Sequence, residues 1–175
     1  MRFHAAMLFC SSLLLMPLLA CADAEVNFSG TLVEEPCSLA PEDSVIDIDF
    51  GTIASKYLYS YRRTLGKPFT LHLLACDLSL GNSVSITFNG SEDADQPGLI
   101  ALDGASTASG VAVGIETADN RLIPVNKLGD EQRLETGNNE LAFQVFVSAG
   151  EEAMKEKKIG PGSISSNITF ELNYE

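Results

Sequence analysis

The last ten residues of the chain alternate between apolar and polar side chains, and this pattern limits the possible folds of the chain more than any other feature. The apolar positions are Ile168, Phe170, Leu172 and Tyr174. A period of two over this length predicts a β-strand with one buried and one solvated face. A second alternating run is Val26, Phe28, Gly30 and Leu32. Apolar strands near both ends favour pairing with another molecule, so the pattern predicts assembly rather than catalysis.

Residues 1–24 have the features of a secretory signal peptide. Arg2 provides a positive start, residues 5–19 form an almost unbroken apolar run, and Ala22-Asp23-Ala24 fits the small-x-small cleavage rule. The run is too short to span a membrane. We therefore expect cleavage after Ala24 and export of the remaining chain.

Two alternatives to this interpretation of the leader stay open. Cleavage after Ala22 satisfies the same rule, because Ala20-Cys21-Ala22 also has small residues at the required positions. The sequence Leu18-Leu19-Ala20-Cys21 resembles a lipobox, which would put a lipid on Cys21.

The cysteines predict a single disulfide bond. Two of the four, Cys10 and Cys21, belong to the leader, so Cys37 and Cys76 remain. An exported chain with two cysteines favours their pairing, and closing a loop of about 40 residues is worth roughly 3–4 kcal/mol in the chain-entropy model. Two free buried thiols are the alternative.

Length and charge limit the classes of partner. About 150 residues after the leader suit one domain with its own core. The net charge of −13 argues against nucleic acid and anionic membranes as partners, because like charges repel.

Strand signals recur along the whole exported chain. Besides the final ten residues, the predicted strands are residues 44–50, 69–74, 83–88, 110–115 and 139–148. The run 69–74 is almost continuously apolar, which predicts a central strand buried on both sides. Residues 151–158 are the one helical candidate. Short strands at this spacing indicate an all-β sandwich.

Catalytic and metal-binding motifs are missing from the sequence. The cluster Glu92-Asp93-x-Asp95 could bind calcium, but it lacks the ligand order of an EF-hand, so a hydrated loop is the simpler interpretation. Asp47 and Asp49 lie two residues apart on the outward face of a predicted strand. We predict no enzyme activity, no catalytic residue, no metal and no cofactor.

With these residues in view, the chain resembles the pilin subunits of chaperone–usher fimbriae. The resemblance covers the whole exported chain, and the finer pattern is similar to minor or adaptor subunits of P-type and type 1 pili. The features that carry it are Val26-x-Phe28-x-Gly30-x-Leu32 before Pro36-Cys37, Leu71-x-Leu73-x-x-Cys76, Val84-x-Ile86-x-Phe88-x-Gly90, and Gly160-Pro161-Gly162 leading into Ile168-Thr-Phe170-Glu-Leu172-x-Tyr174.

The resemblance implies an incomplete immunoglobulin-like β-sandwich that lacks its final strand and is completed by donor-strand addition. It divides the chain into a signal peptide (1–24), a donor-strand extension (25–32) and a pilin domain (33–175). In the extension, Val26, Phe28 and Leu32 would enter pockets of a neighbouring subunit, and Gly30 would face a place with no room for a side chain.

The resemblance also implies partners for the last strand. A periplasmic chaperone would pair with the strand that carries Ile168, Phe170, Leu172 and Tyr174, and would anchor the terminal carboxylate of Glu175. At the outer-membrane usher, the extension of the next subunit would replace the chaperone.

The sequence thus predicts a structural subunit, minor or adaptor in position, of a fimbrium on the surface of a Gram-negative bacterium. The subunit would reach the fimbrium through the periplasm, contribute to surface adhesion and take no small-molecule substrate. Two alternatives are kept. One is a periplasmic lipoprotein or hydrolase, and the other is a single-domain carbohydrate-binding adhesin.

Overall fold

Short antiparallel strands dominate the computed structural model, which describes residues 34–175. Two α-helices and a 3₁₀ turn at Pro41–Ser44 interrupt them, and no helix in this range is long and apolar enough to cross a membrane. In chain order the elements are β1 (Ser38–Leu39), α1 (Ser55–Tyr61), β2 (Lys67–Cys76), β3 (Ser83–Asn89), β4 (Val111–Thr117), β5 (Gln132–Arg133), β6 (Gly137–Ala149), α2 (Glu151–Glu156) and β7 (Thr169–Tyr174).

The strands form two sheets. The first has the order β1-β2-β6-β4 and the second the order β5-β3-β7, and every neighbouring pair is antiparallel. Inward side chains from both sheets share one hydrophobic core. The predicted all-β sandwich is therefore confirmed.

An aromatic cluster joins the two sheets at the centre of the core. Phe88 on β3 and Phe143 on β6 meet edge to face with ring centroids 5.5 Å apart, and Phe69 on β2 lies 5.5 Å from Phe143. Edge-to-face pairs contribute beyond the area they bury. These rings fix the distance between the sheets at the start of β2.

A disulfide ties the beginning of the described chain to the end of β2. Cys37 and Cys76 are bonded, with Cα atoms 4.1 Å apart and a sequence separation of 39. Both residues are buried. The bond holds the chain before β1 against the edge of the first sheet.

The structure corrects two sequence predictions about strands. The strand predicted at residues 44–50 is wrong: Ser44 ends the 3₁₀ turn, and residues 45–50 are extended but unpaired, because no other strand within residues 34–175 bonds to their main chain. The run 69–74 was predicted to be buried on both sides, and this is wrong. Leu71 and Leu73 are buried, whereas His72 is half-buried on the outer face of the sheet.

Helix α1 was not predicted. Its sequence contains three tyrosines, which favour strands, and it is only seven residues long. Packing holds it in place: Leu58 is 3% exposed, and the Tyr59 hydroxyl accepts a hydrogen bond of 3.0 Å from the Ile159 N–H.

A buried carboxylate on β4 depends on one arginine. Glu116, whose side chain is 1% exposed, accepts two hydrogen bonds of 2.6 and 2.9 Å from the Arg63 guanidinium. The same guanidinium lies 3.5 Å from the centre of the Phe146 ring, a favourable cation–π geometry. Removing either partner would leave the other charge uncompensated.

Replacing Arg63 with Ala is expected to lower the free energy of unfolding by about 3–5 kcal/mol, because Glu116 would stay buried without its partner. Arg121→Ala is the matched control. Arg121 pairs with Asp130 at the surface, where both side chains are more than half exposed, and such pairs contribute about 1 kcal/mol or less. Urea unfolding of both variants checks this, and equal losses would contradict the role of the buried pair.

Candidate functional site

Strand β7 has a partner on only one side. It pairs with β3, with Phe170 opposite Phe88 and Leu172 opposite Ile86. No other strand within residues 34–175 pairs with it. It is therefore an edge strand, and unpaired edges are templates for strand addition.

The register shows which main-chain groups face the open edge. Ser83 and Glu175 exchange main-chain hydrogen bonds of 3.1 Å in both directions. Bonded and non-bonded pairs alternate along an antiparallel ladder, so Thr169, Glu171 and Asn173 also turn towards β3. The N–H and C=O groups that turn to the open edge belong to Phe170, Leu172 and Tyr174.

The inward side chains of the last strand pack on the core but stay partly exposed to solvent. The inward residues are half-buried and pack against the core, whereas Thr169 and Glu171 are exposed. Burial, followed by the negative charge of Glu35, raises the pKa of the Tyr174 hydroxyl. The inward residues are Ile168, Phe170, Leu172 and Tyr174.

A second unpaired segment, residues 45–50, also packs against the core. Ile46, Ile48 and Phe50 are half-buried, and Asp47 and Asp49 are exposed. A cleft of about 600 Å³ lies between this segment and the start of β2. Because its main chain bonds to no strand within the described range, this segment too could accept a strand.

Residues 36–50 follow the edge of β2 that β6 does not cover, and Pro36 at the start of this segment lies close to the end of β7. At one end, a Cβ on Gly81 would lie 2.9 Å from the Pro36 ring and 3.1 Å from the Glu175 main-chain oxygen. At the other end, the Lys67 ammonium donates to the main-chain oxygen of Asp49. We call the space between residues 45–50 and β7 the groove.

A hydrogen-bonded loop pair fixes the start of β7. The Asp103 carboxylate accepts hydrogen bonds from the Ser165 hydroxyl at 2.6 Å, the Asn167 amide at 3.0 Å and the Ala105 N–H at 2.9 Å. These bonds, the one from Ser165 foremost, lower the pKa of Asp103. Gly162 allows the close approach, because a Cβ there would lie 2.4 Å from the Ala108 nitrogen.

This loop pair was not found from the sequence. Asp103-Gly104 signals a turn, and three of the four residues 163–166 are serines, but neither pattern indicates that the two segments pair. Only their placement in the fold brings Asp103 to Ser165.

The predicted site residues fall into three groups. The residues of the last strand line the groove, and the main-chain oxygen of Glu175 accepts hydrogen bonds from the N–H groups of Asn82 at 2.7 Å and Ser83 at 3.1 Å. Cys37 and Cys76 form the disulfide described above. Val26, Phe28, Gly30 and Leu32 lie outside the described residues, as do the leader and its cleavage sites.

The carboxylates of Glu92 and Asp93, considered above as calcium ligands, accept hydrogen bonds within their own loop. The Glu92 carboxylate accepts from the Gly98 N–H at 2.6 Å, and the Asp93 carboxylate accepts from the N–H groups of Asp95 and Gln96. Across residues 34–175, no group of three or more acidic, histidine or cysteine side chains is arranged to hold a metal ion.

An antiparallel sandwich with an open side is the fold of pilus subunits. The chain superposes on the solved structure of the P pilus rod subunit PapA with a TM-score of 0.70 at 20% identity, covering 81% of this chain and 100% of that one. The predicted incomplete immunoglobulin-like sandwich that lacks its last strand is confirmed.

Sequence comparison identifies the family. The family model described as "Fimbrial protein" matches residues 26–175. The chain is 32% identical over 152 residues to the uncharacterized fimbrial-like protein YfcP of Escherichia coli K12, covering 86% of this chain and 84% of that protein. It is 31% identical over 157 residues to the Escherichia coli fimbrial adapter PapK, covering 86% and 88%. The chain belongs to the fimbrial protein family, and it is a chaperone–usher fimbrial subunit of the Gram-negative cell surface.

Asp103→Asn is expected to loosen the loop before β7. Because the folded pKa of Asp103 is lowered, its contribution is present above the ordinary aspartate pKa of about 3.9 and is lost as pH falls through the folded value. At pH 7 the variant should exchange the amide hydrogens of residues 163–167 roughly tenfold faster, and this excess should shrink at low pH. Asp119→Asn, at an exposed turn, is the control, and equal exchange in both variants would contradict the role of Asp103.

Proposed function

We propose that the chain is a structural subunit, minor or adaptor in position, of a chaperone–usher fimbria, and that it is assembled by donor-strand exchange without a catalytic step. One observation carries this proposal. The main-chain groups of Phe170, Leu172 and Tyr174 face an open edge directly above a half-buried core. An added strand would supply both the missing hydrogen bonds and the missing apolar contacts.

The same edge explains why two partners would act in turn. An unpaired strand beside apolar side chains is prone to aggregation, so a periplasmic chaperone would cover it first. At the outer-membrane usher, the extension of the next subunit would take the place of the chaperone strand. In this scheme residues 1–24 are the removed leader, 25–32 the extension and 33–175 the domain that receives a strand.

The extension has side chains suited to such a groove. Val26, Phe28 and Leu32 would each bury an apolar side chain at roughly 1.5–3 kcal/mol, or on the order of 5–9 kcal/mol gross in total. Gly30 would pass where the groove is too narrow for a side chain. The ladder of main-chain hydrogen bonds would set the register of the added strand.

The name of one relative bears on the position of the subunit in the fibre. PapK, to which the chain is 31% identical, is named a fimbrial adapter, and this favours a minor or adaptor position. The subunit would contribute to adhesion by joining the fibre to the parts that contact other surfaces.

Phe28→Asp in the full-length chain is expected to block addition to the neighbouring subunit while the periplasmic amount of the subunit stays the same. A carboxylate cannot enter an apolar pocket without a large desolvation cost, so the fraction recovered in isolated fimbriae should fall by roughly tenfold or more. Ser29→Ala, one position along, is the control, because its side chain would face outward. Normal incorporation of the Phe28 variant would contradict the donor role.

A further inference from the structure

The ladder between β1 and β2 is short, although β2 extends several residues beyond it. Its last pair is Leu39 with Leu73, and the Ala40 N–H then donates to the main-chain oxygen of His72 at 2.9 Å. The main-chain groups of His72 therefore point to the β1 side of the strand. Because residues two apart on a strand turn to the same edge, the N–H and C=O groups of Thr70 point to this side as well.

The Asp43 carboxylate takes the place of a strand partner at this point. Its Oδ2 atom accepts a hydrogen bond of 2.6 Å from the His72 N–H, and the Nδ1 atom of the His72 ring lies 2.9 Å from the same oxygen. In a continued ladder the His72 N–H would donate to the main-chain oxygen of Ala40. That oxygen instead accepts from the Asp43 N–H at 3.0 Å. Asp43 thus engages both groups that would complete the pair between Ala40 and His72.

Beyond Asp43 the chain runs apart from β2. A cleft of about 600 Å³ lies between residues 45–49 and residues 67–70, where further pairs would form if the ladder continued. Within residues 34–175 no group accepts a hydrogen bond from the Thr70 N–H. The edge of β2 is therefore open beside a segment that could pair with it.

We propose that Asp43 is a positioning residue of the groove: by ending the ladder between β1 and β2, it holds residues 45–50 away from β2 and leaves their main chain free to bond to an incoming strand. This inference rests on the proposed function, since it concerns one wall of the same groove. Without the carboxylate, the His72 N–H would find its acceptor on Ala40, and the ladder would extend along β2.

The neighbouring sequence allows such an extension. Pro41 has no N–H, but in the register of β1 and β2 residue 41 falls between the bonded positions, so its nitrogen would point away from β2. Glu42 would lie opposite Thr70, where its N–H and C=O groups could both bond. The Ser44 hydroxyl donates to the Pro41 oxygen at 2.7 Å in an exposed turn and does not tie that turn to β2. The diversion of the chain therefore depends on Asp43, which is only 7% exposed.

The test measures amide hydrogen exchange, residue by residue, on the exported chain as isolated from the periplasm. In the unmodified protein the His72 amide should be protected and the Thr70 amide should exchange rapidly, because only the first has an acceptor. In Asp43→Ala the Thr70 amide should become protected, with exchange slowed roughly tenfold. Loss of a merely stabilising contact would speed exchange and would not slow it at Thr70.

Two further variants and a second measurement connect the effect to assembly. Asp43→Asn should behave like the unmodified protein, because its amide oxygen can still accept from the His72 N–H. Glu42→Ala removes an exposed carboxylate from the same turn and is the matched control. The fraction recovered in isolated fimbriae should fall roughly tenfold for Asp43→Ala and stay the same for the other two.

The possible results separate this inference from the proposed function. Slower Thr70 exchange in Asp43→Ala, together with its loss from fimbriae, supports the inference. Rapid Thr70 exchange in that variant, or its normal recovery in fimbriae, overturns the inference and leaves strand addition in place. Absence of the unmodified chain from fimbriae would contradict the proposed function, and the inference with it.

The unmodified protein decides the question if Asp43→Ala does not fold. A Thr70 amide that exchanges rapidly beside a protected His72 amide supports the inference. A Thr70 amide as protected as that of His72 would mean that the ladder continues past Asp43, and would overturn it.

Discussion

The main-chain groups on the outer edge of β7 have no hydrogen-bond partner strand within residues 34–175, and the proposed assembly depends on this open edge. Strand β7 is bonded to β3 alone within the described range, and the main-chain groups of Phe170, Leu172 and Tyr174 turn away from that partner. Buried polar main-chain groups need hydrogen bonds, and half-buried apolar side chains gain from further burial. A strand from another molecule would supply both the missing hydrogen bonds and the missing apolar contacts.

The rest of the structure keeps this open side in a fixed shape. The Cys37–Cys76 disulfide holds the chain before β1 at one end of the groove, and the bonds of Asp103 to the 163–167 loop hold the start of β7. The Phe88 and Phe143 rings join the two sheets behind it, and the Arg63–Glu116 pair stabilises the first sheet at β4. A groove with rigid walls loses little conformational entropy when a strand enters.

The alternation of residues was enough to predict the sheets but not their edges. The patterns at Val84, Ile86 and Phe88 and at Ile168 to Tyr174 predicted strands that the structure contains, since period two reports directly on a half-buried strand. Residues 45–50 have the same pattern and form no strand, because pairing depends on a neighbour that the local sequence does not encode. Helix α1 was missed because its tyrosines favour strands and only tertiary contacts of Leu58 and Tyr59 hold it helical.

The groove could be predicted only in part. The apolar positions of β7 were evident from the sequence, whereas the second wall required the placement of residues 45–50 beside it. The Asp103 loop pair joins residues 62 positions apart in the chain. Such long-range placement follows from topology, and one sequence without its fold contains no signal for it.

Amide hydrogen exchange at the outer edge of β7 tests the central claim most directly. In the monomeric chain without a chaperone, the amides of Phe170, Leu172 and Tyr174 should exchange rapidly, whereas those of Glu171 and Asn173, which donate to β3, should be protected. In assembled fimbriae all five should be protected. Strong protection of Phe170, Leu172 and Tyr174 in the isolated monomeric chain would mean that the protein closes its own sandwich, and would contradict the account.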